Sequence, residues 1–427
     1  MKLKSLHIDS YRHLENIDFD FTYPKGHEKA GKPLEKICII GQSATGKTSI
    51  LELIKNSIFQ IDSIKVINDE YIFHHFQLDF NGQIGYSYNH QNLTITKNSI
   101  SLNEHKYENI PQANGTITNL FTTDLRLLYL STEIISKEVI NILNQNPINI
   151  STEVSIDKYS GFLKSNKDSN YVFEFIQDIN TEIWFSLLYK ILDYRKRFTQ
   201  MASELINKGA IGDINKLNKQ YSNWSETNPN PLTEFANYFN PMLSRLNLEI
   251  DLVNTEYTIP VKSKIKDEIV PISGLSTGTK GLLLSMFPLY ELDTREAIIL
   301  MDEPERSLFP DIQIDLLSHY QNLAPEAQFI IATHSPFIAA AFEPEERFIL
   351  YFNEEGNVAV RRGESPRGDD PNDILTNDFN VNYYNEFGKA AYRRYLDLKT
   401  KVEKETELSV KRKLVLEMSK LGDKYNF

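Results

Sequence analysis

Eight residues, Gly41-Gln42-Ser43-Ala44-Thr45-Gly46-Lys47-Thr48, constrain this chain more than any other stretch. They match G-x-x-x-x-G-K-[ST] and stand between an apolar run, Ile37-Cys38-Ile39-Ile40, and a segment from about Thr48 to Ile58 that reads as a helix. Two glycines let the backbone turn successive N–H groups onto one point, and the helix N-terminus behind them adds a favourable dipole. The product is an anion site. The pattern predicts that Gly41 to Ser49 cradle the phosphates of ATP, with Lys47 on the β- and γ-phosphates and the Thr48 hydroxyl on Mg²⁺. A chance glycine turn is the competing reading.

Three further motifs supply what a phosphate cradle lacks. Ile298-Ile299-Leu300-Met301 ends in Asp302-Glu303. A buried strand delivers both acids at its C-terminal edge, where parallel sheets bind ligands. Asp302 suits Mg²⁺ coordination, and Glu303 suits orienting or activating the attacking water. Alone, two acids after a strand are common. Ser273-Gly274-Leu275-Ser276-Thr277-Gly278-Thr279-Lys280 precedes a helix expected over Thr277 to Leu292. Ser276 and Gly278 there make either a second anion site or an ordinary helix cap. Ile330-Ile331-Ala332-Thr333-His334-Ser335-Pro336 ends a buried strand on a histidine suited to sensing the γ-phosphate. Lys47, Glu303 and His334 are thus the candidate catalytic residues, and Thr48 and Asp302 the candidate metal ligands.

The chain has 427 residues, 41% of them hydrophobic, enough for a sizeable core in two or three domains. No run approaches the ~20 apolar residues of a membrane span, and the first residues alternate like a half-buried strand. A soluble, cytoplasmic protein without membrane contact is expected. The single cysteine, Cys38, excludes an internal disulfide or a zinc cluster. A net charge of −12 argues against a generally basic nucleic-acid coat. The short basic clusters Arg195-Lys196-Arg197, Lys262/Lys264/Lys266, Arg361-Arg362 and Lys411-Arg412-Lys413 read as solvated faces.

Strand and helix patterns divide the chain into 1–132, which carries the phosphate loop; 133–246, mainly helical; 247–380, with the acids and the histidine; and 381–427, a charged helical tail. In the first part, Phe76 to Phe80, Ile84 to Tyr88 and Leu93 to Thr96 read as an antiparallel meander turning at Asn81-Gly82 and Asn89-His90. Leu127 to Leu130 reads as a further strand, and Leu248 to Val253 as another. A hairpin is expected over 346–361, turning at Glu355-Gly356-Asn357.

Four motifs in this order resemble the ABC-type ATPase superfamily, and within it the soluble branch with RecF, the SMC proteins and the overcoming-lysogenization-defect ATPases. Leu6 to Ile17, Asp302-Glu303-Pro304-Glu305 and Ala332-Thr333-His334-Ser335-Pro336 carry the likeness. The resemblance implies an α/β head, a mixed sheet with helices plus an antiparallel β subdomain, with a helical insertion projecting from it. It adds Arg12 to the nucleotide contacts. It also implies a homodimer that sandwiches ATP, so that Ser276 and Gly278 of one copy face the γ-phosphate held by the other. In the loop Pro304 to Pro310, Ser307 and Leu308 then occupy the dimer contact positions; a plain loop is the alternative.

A narrower resemblance is to compact anti-phage ATPases, such as the PtuA subunit of Septu and retron-associated ATPases. It rests on the short insert, Asp373 to Phe379 and the helical tail. It implies a separate nuclease or toxin effector as partner. A DNA-clamping maintenance ATPase is the alternative, with DNA a possible partner. The chain departs from the family at Thr277 and Thr279 in the signature and at Phe309. No glutamine follows Leu127 to Leu130 where the family places one.

Overall fold

The computed structural model describes the chain apart from residues 63–64, 68–69, 73–77, 104, 109–124, 154–170, 178–180, 210–211, 369, 382–385 and 426–427. Two compact units result, Met1–Asp369 and Asp370–Phe427.

The first unit is built on two sheets. In the antiparallel sheet, β1 (Lys2–Tyr11) and β2 (Leu14–Asp20) form a hairpin. Its order is β2-β1-β6-β7-β8-β9, with β6 Asn81–Tyr88, β7 Gln91–Thr96, β8 Ser99–Leu102 and β9 His105–Glu108. Alternation decides which face is buried: Leu6 and Ile8 of β1 point inward with Ile17 and Phe19 of β2. Asn89 and His90 make the expected turn, both at positive φ. Asn81-Gly82 does not. It opens β6, where Gly82 lies so close to the His7 carbonyl that a Cβ would sit 2.1 Å from it. The reading of Phe76 to Phe80 as a strand falls partly outside the described residues, and Leu78 to Phe80 are not extended.

The second sheet has seven strands in the order β11-β10-β15-β16-β3-β17-β18. These are β3 (Lys36–Gly41), β10 (Arg126–Leu130), β11 (Tyr171–Phe175), β15 (Ile298–Asp302), β16 (Gln328–Thr333), β17 (Arg347–Phe352) and β18 (Val358–Arg362). Only β18 is antiparallel to its neighbour, closing the hairpin expected over 346–361. β3, β10, β15 and β16 are buried along their whole length, as runs of Ile and Leu covered on both faces require. Helix α1 (Lys47–Asp62) leaves β3 and buries Ile50, Leu51 and Ile54 in the core shared by the two sheets.

Two expectations for the middle of the chain are corrected. β11 lies inside the stretch read as helical and pairs in parallel with β10, so this segment gives the main sheet its edge. The insertion also does not simply project. Its helices α2 (Lys137–Asn144), α3 (Pro147–Glu153), α4 (Thr181–Asn207), α5 (Ile214–Thr227) and α6 (Pro231–Leu243) precede α7 (Thr277–Glu291), the helix behind Ser276. Trp184 of α4 stacks on Phe287 of α7 at 6.1 Å, and Phe235 of α6 meets Phe287 edge-on at 5.4 Å. Aromatic area on α4 and α6 is buried against the head rather than left to water. The strand expected over Leu248 to Val253 ends at Ile250 and forms a small sheet of its own with Val261–Ser263 and Glu268–Val270.

Two basic clusters are also not solvated throughout. Arg195 is buried, with its guanidinium on the Asn254 carbonyl, and Arg362 donates to the Thr22 carbonyl. α8 (Pro310–Leu323) and α9 (Pro336–Ala339) complete the first unit's described α-helices. The second unit contains two longer helices, α10 (Glu386–Lys404) and α11 (Leu408–Tyr425). No described helix is long and apolar enough to cross a membrane.

Candidate nucleotide site

Sheet register brings the motifs together. β16 lies between β15 and β3, with Asp302 opposite Ala332 and Thr333 opposite Ile40. The loops after Ile40, Asp302 and Thr333 therefore leave the same edge of the sheet, side by side.

The phosphate loop is tightly packed. A Cβ at Gly41 would lie 2.7 Å from the Leu350 carbonyl, and one at Gly46 2.9 Å from Leu14. Gly46 has φ +92°, which side chains rarely adopt. Ala44 also takes a left-handed conformation, φ 66°. Gln42 accepts a 2.8 Å hydrogen bond from the Thr45 hydroxyl, which tightens the turn. Ser43 is exposed at its crest. Lys47 is buried and donates to the carbonyls of Gly41 at 2.9 Å and Gln42 at 3.2 Å. Burial pushes its ammonium below the usual lysine range, against the pull of Glu303 and Asp302.

The Thr48 hydroxyl donates to Asp302 Oδ2 at 2.8 Å. Burial raises the Asp302 carboxyl, the Thr48 bond lowers it, and Glu303 raises it further. Two hard oxygen ligands held this close, from a helix start and a strand end, fit Mg²⁺. No group of three or more His, Cys, Asp or Glu suited to a metal occurs among the described residues. A cation here would complete its shell with phosphate oxygens and water.

Glu303 and His334 meet at the water-facing side. His334 Nε2 lies 3.4 Å from Glu303 Oε1. Glu303 stands in left-handed backbone, φ 47°, with its N–H on the Ala332 carbonyl at 2.9 Å. Burial, then the Lys47 charge, hold the His334 imidazole below its ordinary range, against the pull of Glu303.

Arg12 is the first turn residue of the β1–β2 hairpin and reaches the side of α1. It donates to the Ser49 hydroxyl at 3.0 Å and pairs with Glu52 at 2.6 Å. The structure thus joins Arg12 to Ser49, in the first turn of α1 directly after Thr48.

Ser276 caps α7, accepting from the Thr279 N–H at 3.2 Å. Gly278 packs on the loop after the acids: a Cβ would lie 2.2 Å from the Ser307 carbonyl and 3.1 Å from the Leu308 side chain. Leu308 is consequently buried within its own chain, and the exposed apolar residue of that loop is Phe309, at 74%. Of the two positions expected to contact a second copy, Ser307 is exposed and Leu308 is buried.

Two residues at the site receive no role from the motifs. Gln177, just after β11, lines a cavity of about 300 Å³ together with Ser131, Thr277, Asp302 and Glu303. It follows the strand that the helical pattern concealed. Glu305 is buried beneath His334; its only sequence signal was a second glutamate after Pro304.

Residues 1–339 match the AAA ATPase domain model. The chain belongs to the AAA ATPase domain family. No curated protein matches by sequence. Solved structures similar to this family member include the SMC head bound to the C-winged helix domain of ScpA, 12% identical over 85% of this chain and 97% of that one, TM-score 0.41. The SMC head domain from Thermotoga maritima is 11% identical over 86% and 100%, TM-score 0.38. As an AAA ATPase, the chain carries a P-loop nucleotide site, and the strand order given above is the mixed α/β architecture that its motifs predict.

Proposed function

We propose that this AAA ATPase binds ATP with Mg²⁺ and hydrolyses it in the ABC manner, two copies sandwiching the nucleotide. One observation carries the hydrolytic reading: Glu303 Oε1 and the imidazole of His334 lie 3.4 Å apart beside the Thr48–Asp302 pair. Mg²⁺ held by Thr48 and Asp302 supplies charge neutralisation at the phosphates when bound. Lys47 and the N–H groups of Gly41 to Thr48 bind and orient the phosphates. Glu303 accepts a proton from the attacking water, and His334 holds that water and the γ-phosphate in place. The Ser276–Gly278 turn of the second copy would close the site.

At the level of biology, the reading that fits is an ATP-driven switch in an anti-phage defence system, controlling a separate nuclease effector. Its support is the resemblance of the short insert and of Asp373 to Phe379 to such ATPases.

The first test is chemical. Glu303→Gln should bind ATP, lose roughly 10²–10⁴-fold in kcat and accumulate as an ATP-bound dimer in light scattering. Lys47→Ala should lose nucleotide binding. Hydrolysis by Glu303→Gln at the wild-type rate would show that Glu303 is not the base.

A further inference from the structure

Glu305 is 8% exposed, and burying a carboxylate is costly unless its bonds are made. Both of its hydrogen bonds converge on Oε1. The Thr333 hydroxyl donates at 2.6 Å and the His334 backbone N–H at 3.0 Å. Among the described residues no donor reaches Oε2. The carboxylate is therefore aimed at one short segment, the turn that carries His334.

The rest of that turn is tied to the same region. The Thr333 hydroxyl accepts from the Ser335 N–H at 2.9 Å. The Ser335 hydroxyl donates to Gln313 Oε1 at 2.6 Å, and Gln313 Nε2 donates to the Leu308 carbonyl at 2.7 Å. Thr333, His334 and Ser335 are each bonded, directly or through one side chain, to Glu305 or Leu308. The loop that contains both also begins at Glu303. So the 3.4 Å separation of Glu303 and His334 is set by how loop 303–309 grips the strand end of β16.

We propose that Glu305 is a positioning residue, holding the His334 backbone so that the imidazole faces Glu303. This rests on the hydrolytic role given to His334 above. Glu305 is buried and bonded to the Thr333 hydroxyl and the His334 backbone N–H, so it acts through His334. A misplacement of about 1 Å at a catalytic group costs up to ~10²-fold in rate. A purely structural role predicts a different pattern: loss of folded protein and loss of nucleotide binding together.

The test is a cycle of full-length variants, with steady-state kcat and KM for ATP. Glu305→Ala should lower kcat roughly ten- to hundredfold with KM within about twofold. Glu305→Gln, whose amide oxygen accepts the same two bonds, should recover most of kcat. In a His334→Ala background, Glu305→Ala should cost less than about twofold more, because the group it positions is gone. Thr333→Val removes one donor at near-constant volume; its smaller kcat loss should likewise vanish in the His334→Ala background, and it carries the test if Glu305→Ala does not fold. Equal losses in both backgrounds overturn the proposal and leave the hydrolytic reading intact. A His334→Ala enzyme at the wild-type rate overturns the role of His334, and this proposal with it.

Discussion

Gly278 shows how little room the site leaves at the scale of one residue. It lies in the first turn of α7, and its missing side chain is what lets the Ser307 carbonyl approach. Ser307 itself is held at φ 63°, a conformation that costs energy for any residue with a Cβ. The contact therefore fixes both partners. Gly281, one turn on, is different: the nearest atom to a Cβ there is Ile135 Cδ1 at 4.0 Å. The two glycines give opposite expectations. Gly278→Ala should destabilise by about 1–3 kcal/mol through overpacking and shift the loop that carries Glu305. Gly281→Ala should stabilise by about 0.5–1 kcal/mol, since alanine loses less backbone entropy in a helix. Denaturant midpoints of the two variants check this. If Gly278→Ala is as stable as Gly281→Ala, α7 does not seat on that loop as described.

Among the elements, α7 matters beyond its capped end. Trp184 is 1% exposed and packs between Phe175 of β11 at 5.7 Å and Phe287 of α7 at 6.1 Å. One indole thus joins the edge strand, the insertion and the helix that presents Ser276. Trp184→Ala should cost about 3–5 kcal/mol, and Trp184→Phe much less. Thermal unfolding with and without ATP would measure both; a loss under about 1 kcal/mol for the alanine variant would mean the cluster relaxes around the gap.

The same elements show what could be read in advance. The phosphate loop, Asp302-Glu303 and His334 were legible because phosphate chemistry dictates residue type and spacing within a few positions of one strand end. β11 was not legible. Tyr171-Val172-Phe173-Glu174-Phe175 becomes a strand because β10 is already there to pair with it, and that partner lies 45 residues upstream at Arg126. Arg195 and Arg197 illustrate the same limit: two residues apart on α4, one is buried on a carbonyl and the other pairs with Asp193 at the surface. Glu305 was hidden likewise, since its partners Thr333 and His334 reach it only through the sheet.

For the whole molecule, the decisive question is where the free energy of ATP binding goes. If two copies close on nucleotide as proposed, Phe309, 74% exposed on the loop beside Gly278, would be covered by the closure. Such a closure would also press on the loop proposed to position His334, and hydrolysis would then release the pair. Such a cycle would make a switch rather than a source of bulk turnover, and a switch needs something to control. If that something is a nuclease effector, it should bind one nucleotide state better than the other, because only differential affinity lets ATP govern it. On the proposed roles, the Glu303→Gln protein should hold the ATP state and Lys47→Ala should be unable to reach it. Purified from the native host with ATP, Glu303→Gln should retain or exclude the nuclease, and Lys47→Ala should do the reverse, by quantitative mass spectrometry. DNA co-purifying without a nuclease, together with DNA-stimulated hydrolysis, would favour the DNA-clamping reading. A nuclease held equally by both variants would be a partner that ATP does not govern, and the switch reading would fall.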